Sequence, residues 1–301
     1  MAKQKEREEA AEKYPIKSRM PHPKGKLLAI GGREDKGERE ESEVQRHNRE
    51  FIKEEILKRF VDELKGTNPL VVIIPTASNE PEESAKGYVK VFTELGITNL
   101  EVLDIRERVD AMDVSKIDVI DKAAGVMLTG GDQLRLTAIL GGSRLLEKLK
   151  ERYTKDNIII AGTSAGATAM STPMIYEGEI NKGMLKGDVR ITTGLEFLKN
   201  VAIDTHFIQR GRIVRMSQCI ATNPGCIGVG LEEDTAILVT EGKQAEVIGS
   251  GLVTVVNGMN ITKSNIYEIG NQEPFTVCGL EVHLLSGGQT YTFPTFDQLH
   301  A

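Results

Sequence analysis

The chain has 301 residues, 40% hydrophobic and 27% charged, with 38 Lys and Arg against 44 Asp and Glu and a formal net charge of −6 at pH 7. That is an ordinary globular composition, with room for one large α/β domain or two small ones. The negative charge argues against non-specific nucleic-acid binding and mildly favours a cationic ligand, and no apolar run approaches the length of a membrane span.

Residues 1–24 are polar, charged and punctuated by Pro15, Pro21 and Pro23, and read as a flexible arm with no signal-peptide core. Residues 25–301 read as one α/β domain. Lys26 to Ile30 is a first short strand ending at Gly31-Gly32. The charged stretch from Arg33 to Arg49 leads into a helix with Ile52, Ile56, Phe60, Val61 and Leu64 on one face, stopping near Gly66. Leu70 to Pro75 is a buried strand. Pro81 then takes a first helical position, ahead of an apolar face of Tyr88, Val91, Phe92 and Leu95. Leu100 to Ile105 is the third strand, Val114 to Ala123 a short helix and Gly125 to Thr129 the fourth strand, closing on Gly130-Gly131-Asp132-Gln133. One helix is predicted from Leu134 to Leu149, and Asn157 begins the fifth strand. Nearly all-apolar strands alternating with helices predict a mostly parallel sheet covered on both faces, whose ligands gather at the carboxyl ends of the strands.

Beyond the fifth strand the pattern loosens. Ser171 to Phe197 is rich in glycine and charge and reads as a flap or binding loop. Val201 to Phe207 is a strand ending in polar groups, and the last sixty residues read as antiparallel strands extending the same sheet. Cys219, Cys226 and Cys278 lack metal-like pairing, so buried free thiols in a reducing cytoplasm are predicted.

The fifth strand runs into Gly162-Thr163-Ser164-Ala165-Gly166-Ala167. A β-branched run that stops at Gly-x-Ser-x-Gly and passes into small helix-compatible residues is the signature of a nucleophile elbow. The glycines remove side chains that would clash in the turn, and the following backbone N–H groups face any oxyanion that forms. A purely structural alternative is close helix–sheet packing.

A nucleophilic serine needs a base and a group to orient it. Of five histidines, His22 lies in the arm, His47 in a charged segment, His300 at the penultimate position and His283 in an alternating strand. His206 ends a strand within Asp204-Thr205-His206-Phe207, followed by Arg210, Arg212 and Arg215. Glu232, Glu233 and Asp234 stand together at a bend, and spacing does not choose among them. The arginines suit either bidentate capture of carboxylates or a solubilising surface turn.

These segments together resemble the cyanophycinases, within the serine peptidase family that also holds the aspartyl dipeptidases; the similarity runs over roughly residues 25 to 295. The resemblance implies a flavodoxin-like α/β fold akin to class I glutamine amidotransferases, with Ser164 where those enzymes carry Cys. It implies Ser164 as nucleophile, His206 as base and Glu233 as orienting acid. The order Ser, His, acid differs from the Ser, acid, His order of α/β-hydrolases. It also implies an oxyanion site from Ala165 and the Gly131-Asp132 loop, and substrate contacts from Gln133, Asp204, Thr205, Arg210, Arg212 and Arg215. Where the family more often has Gln, this chain has Thr205. The implied substrate is cyanophycin, a polyaspartate backbone bearing arginine on each β-carboxyl, cut to β-Asp-Arg dipeptides. A cytoplasmic homodimer needing neither metal nor cofactor is implied as well. The nearest alternative is an α- or β-aspartyl dipeptidase acting on short peptides.

Overall fold

The computed structural model describes residues 22–37, 40, 41, 45, 46, 48, 51–178 and 183–294. Most of the predicted arm, together with His47 and His300, therefore lies outside the described residues.

Five apolar runs form the parallel strands β1 (Lys26–Ile30), β2 (Leu70–Ile74), β3 (Leu100–Val102), β4 (Ala123–Leu128) and β5 (Ile159–Thr163). Between them lie α1 (Glu55–Asp62), α2 (Pro81–Glu94), α3 (Val114–Ile117), α4 (Gln133–Leu140) and α5 (Arg144–Lys155). Pro81 opens α2 at its first turn, where its missing N–H costs nothing. The single helix predicted from Leu134 to Leu149 is instead two. The chain leaves α4 at Gly141-Gly142, and the Ser143 hydroxyl caps α5 by accepting from the Leu146 N–H. The third strand stops at Val102 rather than Ile105, and the helix predicted to Ala123 ends in a 3₁₀ turn, Asp118–Asp121.

The chain continues through α6 (Ala165–Ala169), β6 (Ser171–Thr172), β7 (Met174–Glu177), β8 (Arg190–Thr192), β9 (Leu198–Lys199), β10 (Val201–Asp204) and α7 (Ile213–Thr222). It closes with β11 (Ile227–Leu231), β12 (Thr235–Thr240), β13 (Gln244–Gly249), β14 (Val253–Asn257), β15 (Lys263–Ser264), β16 (Val277–Cys278), β17 (Glu281–Leu285) and β18 (Thr290–Thr292). An eight-stranded sheet has the order β18-β13-β12-β1-β5-β4-β2-β3, with β12, β13 and β18 antiparallel. The expectation of one extended sheet needs correction. β17, β14, β11, β10, β6 and β9 form a second, six-stranded sheet, in which β10 and β11 are parallel. The chain crosses between the sheets at Glu232–Asp234 and returns through residues 250–252.

Alternate residues of the central strands serve different cores. Leu28 and Ile30 of β1, with Val71, Ile73 and Met127, pack under Phe60 of α1 and Tyr88 and Phe92 of α2. Leu27, Ala29, Val72 and Ile160 face the other way, into a core shared with Leu145 and Leu149 of α5 and with Ile203, Val229 and Val255 of the second sheet. The two sheets thus share one hydrophobic seam, and their carboxyl-end loops meet above it. β7 and β8 form an antiparallel hairpin where a flap was predicted. In its connection, Gly183 and Leu185 lie on α7, where Gln218 donates to their carbonyls (2.7 Å and 2.9 Å). Cys219 and Cys226 are buried as predicted, whereas Cys278 is exposed on the short β16.

Candidate active site

At the end of β5 the backbone of Ser164 takes φ 49° and ψ −111°, outside the regions that L-residues favour. The turn is held by the Ser164 N–H, which donates to the Ile30 carbonyl at 3.0 Å. The flanking glycines are sterically required: a Cβ on Gly162 would fall 2.6 Å from the Gly166 backbone, and one on Gly166 would fall 2.5 Å from the Leu128 carbonyl oxygen.

Ser164 Oγ lies 3.1 Å from His206 Nε2, and His206 Nδ1 lies 2.7 Å from Glu233 Oε1. With the proton on Nδ1, the ring donates to the carboxylate and accepts from the hydroxyl, which is the arrangement a general base requires. The His206 backbone, at φ 49°, donates its N–H to Gly31 at 3.0 Å. The ring sits against Gly32, where a Cβ would come 2.5 Å from Cε1. Burial pushes the imidazole pKa below its ordinary value, and the Arg210 and Arg212 cations push the same way; Glu233 opposes them and is outweighed.

The bend separates the three acids that spacing left together. Glu232 accepts from the Leu252 N–H at 3.0 Å. Asp234 accepts from Ser250 Oγ (2.7 Å), Gln45 Nε2 (2.6 Å) and the Asp35 N–H (2.9 Å). Both thus pin the crossover between the sheets, and Glu233 is the one that faces the imidazole.

The Gly130–Gln133 loop borders the elbow, with a Cβ built on Gly130 lying 3.5 Å from that of Ser164. Gly131 takes φ +142°, and a side chain there would collide with the Ala77 carbonyl oxygen at 2.0 Å. Asp132 must be removed from the oxyanion set. Its N–H donates to Ala77 at 2.9 Å, and its carboxylate caps α4 by accepting from the N–H groups of Leu134 and Arg135. Among the described residues, the N–H groups of Gly131 and Ala165 have no such backbone partner.

The polar cluster after β10 divides sharply. Asp204 is wholly buried, and its carboxylate accepts from Arg212 Nη1 (2.7 Å) and from Arg215 Nε (2.6 Å) and Nη2. Arg212 also donates to the Thr205 carbonyl (2.6 Å), and Arg215 to that of Gly178 (2.9 Å). Arg215 is itself buried. The expectation that Asp204 and Arg215 contact substrate is therefore corrected: one carboxylate is saturated by two guanidinium groups, so this is an internal ion cluster. Arg212 is largely consumed by the same bonds. Thr205 is buried beside it. Gln133 gives its amide to the carbonyls of Ile175 and Tyr176 (3.3 Å each), bracing β7. Arg210 alone of the three arginines is exposed, beside His206.

Two neighbouring residues lie in the loop after β1, to which the sequence reading assigns no individual site role. Arg33 Nη1 lies 3.5 Å from Glu233 Oε2 at the exposed rim. Glu34 is buried and accepts from the hydroxyls of Thr163 and Tyr88. Two consecutive charged residues directly after a strand-end Gly-Gly were the available clue.

The sequence model of peptidase family S51 matches residues 41–248, more than half the chain. The chain belongs to peptidase family S51. Among S51 relatives, the cyanophycinase of Geminocystis herdmanii (strain PCC 6308) is 33% identical over 273 residues, covering 91% of this chain and 95% of that protein. The cyanophycinase of Trichormus variabilis (strain ATCC 29413 / PCC 7937) is 35% identical over 265 residues, covering 88% and 84%. The fold matches a crystal structure of a peptidase from an acI-B1 actinobacterium with a TM-score of 0.61 at 20% identity, over 91% of this chain and 98% of that one. The S51 chain is accordingly a peptidase with the class I glutamine amidotransferase-like architecture.

Proposed function

We propose that this peptidase is a cyanophycinase: a serine exopeptidase that hydrolyses the polyaspartate backbone of cyanophycin and releases β-Asp-Arg dipeptides. The observation that carries the reading is the continuous Ser164–His206–Glu233 relay on the elbow, with links of 3.1 and 2.7 Å. The cyanophycinase relatives spanning most of the chain support the substrate.

In this mechanism His206 Nε2 takes the Ser164 proton as Oγ attacks the scissile carbonyl, and Glu233 stabilises the imidazolium that forms. The backbone N–H groups of Ala165 and Gly131 receive the oxyanion. His206 then returns its proton to the leaving amine, and water cleaves the acyl-enzyme by the same route in reverse. Arg210 and Arg33, the cations at the rim, suit the free α-carboxylates of the polymer's arginyl groups and of its chain terminus. With Asp204 consumed internally, the exposed Asp132 carboxylate on the loop beside the elbow is a partner for the substrate guanidinium. The reading includes a cytoplasmic homodimer; among the described residues no helix is long and apolar enough to cross a membrane.

Ser164→Ala tests the nucleophile. Loss of the serine of a working triad costs on the order of 10⁶ in kcat, and a fluorophosphonate probe should label the parent protein at Ser164 and leave the variant unlabelled. Near-normal hydrolysis by the variant would sink the mechanism.

A further inference from the structure

We propose that Glu34 is a positioning residue: it locks the Ser164 elbow to the Gly31–Asp35 loop and so sets the Ser164–His206 contact. The inference rests on the reading of Ser164 as nucleophile.

Glu34 follows the loop that leaves β1, and its side chain turns inward. Its Oε2 accepts from Thr163 Oγ1 at 2.7 Å, and its Oε1 accepts from the Tyr88 hydroxyl of α2. Lys36 Nζ lies 3.6 Å from Oε1 and 3.7 Å over the Tyr88 ring centre. Burial by itself would raise the Glu34 pKa, but Lys36 and the two hydroxyl donors outweigh it and hold the carboxyl below its ordinary value. A buried carboxylate is costly unless paired and bonded, and an apolar side chain of similar volume would anchor a loop as well or better. What the carboxylate adds is direction: two fixed acceptors, one of them aimed at the residue immediately before Ser164.

The loop bearing Glu34 touches every other part of the relay. Gly31 accepts from the His206 N–H, Gly32 underlies the imidazole, Arg33 reaches Glu233, and the Asp35 N–H donates to Asp234. Glu34 is the link from this loop to the nucleophile. Ser164 holds a strained φ of 49°, so freeing Thr163 lets the elbow relax and carries Oγ off its 3.1 Å approach to Nε2. A misplacement of about 1 Å costs on the order of 10² in rate.

The test compares Glu34→Ala, Glu34→Gln and Thr163→Val, with Ser164→Ala alongside, by steady-state hydrolysis of soluble cyanophycin. Glu34→Ala and Thr163→Val should each lower kcat about 10- to 100-fold with KM nearly unchanged. Both should leave the acid limb of the kcat/KM pH profile in place, because the His206–Glu233 pair is untouched. Glu34→Gln should recover most of the rate, since the hydroxyls of Tyr88 and Thr163 can each donate or accept. Wild-type kcat in both Glu34→Ala and Thr163→Val overturns the proposal. A kcat loss that Gln fails to rescue, or that disappears on cooling in step with a lowered Tm, also overturns it by reducing Glu34 to a stability role. If Glu34→Ala does not fold, Thr163→Val decides alone. An active Ser164→Ala would overturn the nucleophile and this inference together, whereas an inactive Ser164→Ala with unaffected Glu34 variants removes the positioning role only.

Discussion

In the proposed mechanism His206 must be neutral to take a proton from Ser164, and its surroundings favour the neutral form. Burial is the largest influence and disfavours the imidazolium; the Arg210 and Arg212 cations add to it, and the Glu233 carboxylate opposes it. The acid limb of kcat/KM should therefore fall below 6.5, with activity rising as pH climbs through it. Arg210→Gln removes a nearby positive charge, lets the imidazole hold its proton more readily and moves that limb to higher pH. Because Arg210 is exposed, the displacement should shrink at high salt. A limb that stays put would show that Arg210 does not face the ring in solution. Glu233→Gln removes a group that raises the pKa, so its limb moves to lower pH, and loss of the correct tautomer lowers kcat by about 10⁴. Ser164 and His206 are readable from sequence because each is marked by backbone context, an elbow and a strand end. Glu233 is not, since three consecutive acids at a bend differ only in which way each side chain points. Asp204 and its arginines resist reading for another reason. Arg210, Arg212 and Arg215 look alike until the carboxylate that two of them surround is known to lie inside.

The site is assembled by loops at the ends of five strands, β1, β4, β5, β10 and β11, and glycines govern how closely those loops approach. Gly32 sits at φ +100° directly under the imidazole, with no space for a Cβ. Gly32→Ala should displace His206 and reduce kcat by about 10² or more, and it should also lower Tm, because Ala is strained at this positive φ. Unaltered kcat in a folded Gly32→Ala protein would mean that the loop yields freely. The parallel half of the sheet was legible because its strands are short apolar runs broken by turns. The second sheet was not. β10, β11, β14 and β17 show the same strand signals as β12 and β13, and the sheet each joins is decided by two crossings, at Glu232–Asp234 and residues 250–252. These are pinned by side-chain bonds from Glu232 and Asp234 that no local pattern announces. The split of α4 from α5 was readable in principle, from Gly141-Gly142 followed by a Ser143 cap.

Across the whole molecule, the two sheets meet at the relay, and the Asp204 cluster lies on the other face of the second sheet, between β10 and α7. Asp204→Asn leaves two guanidinium groups short of a counter-charge in a buried site. Breaking such a pair typically costs about 3–5 kcal/mol, so the variant should lose stability clearly in thermal or denaturant unfolding. If instead Tm holds and only KM rises, Asp204 contacts substrate after all and the internal-cluster assignment fails. The most direct measurement for the molecule as a whole is mass analysis of the products formed from cyanophycin by the parent protein and by Ser164→Ala. The proposed mechanism predicts β-Asp-Arg as the dominant product of the parent protein and essentially none from the variant. Release of β-Asp-Arg by both proteins, or cleavage confined to free short peptides with the polymer left intact, would contradict it.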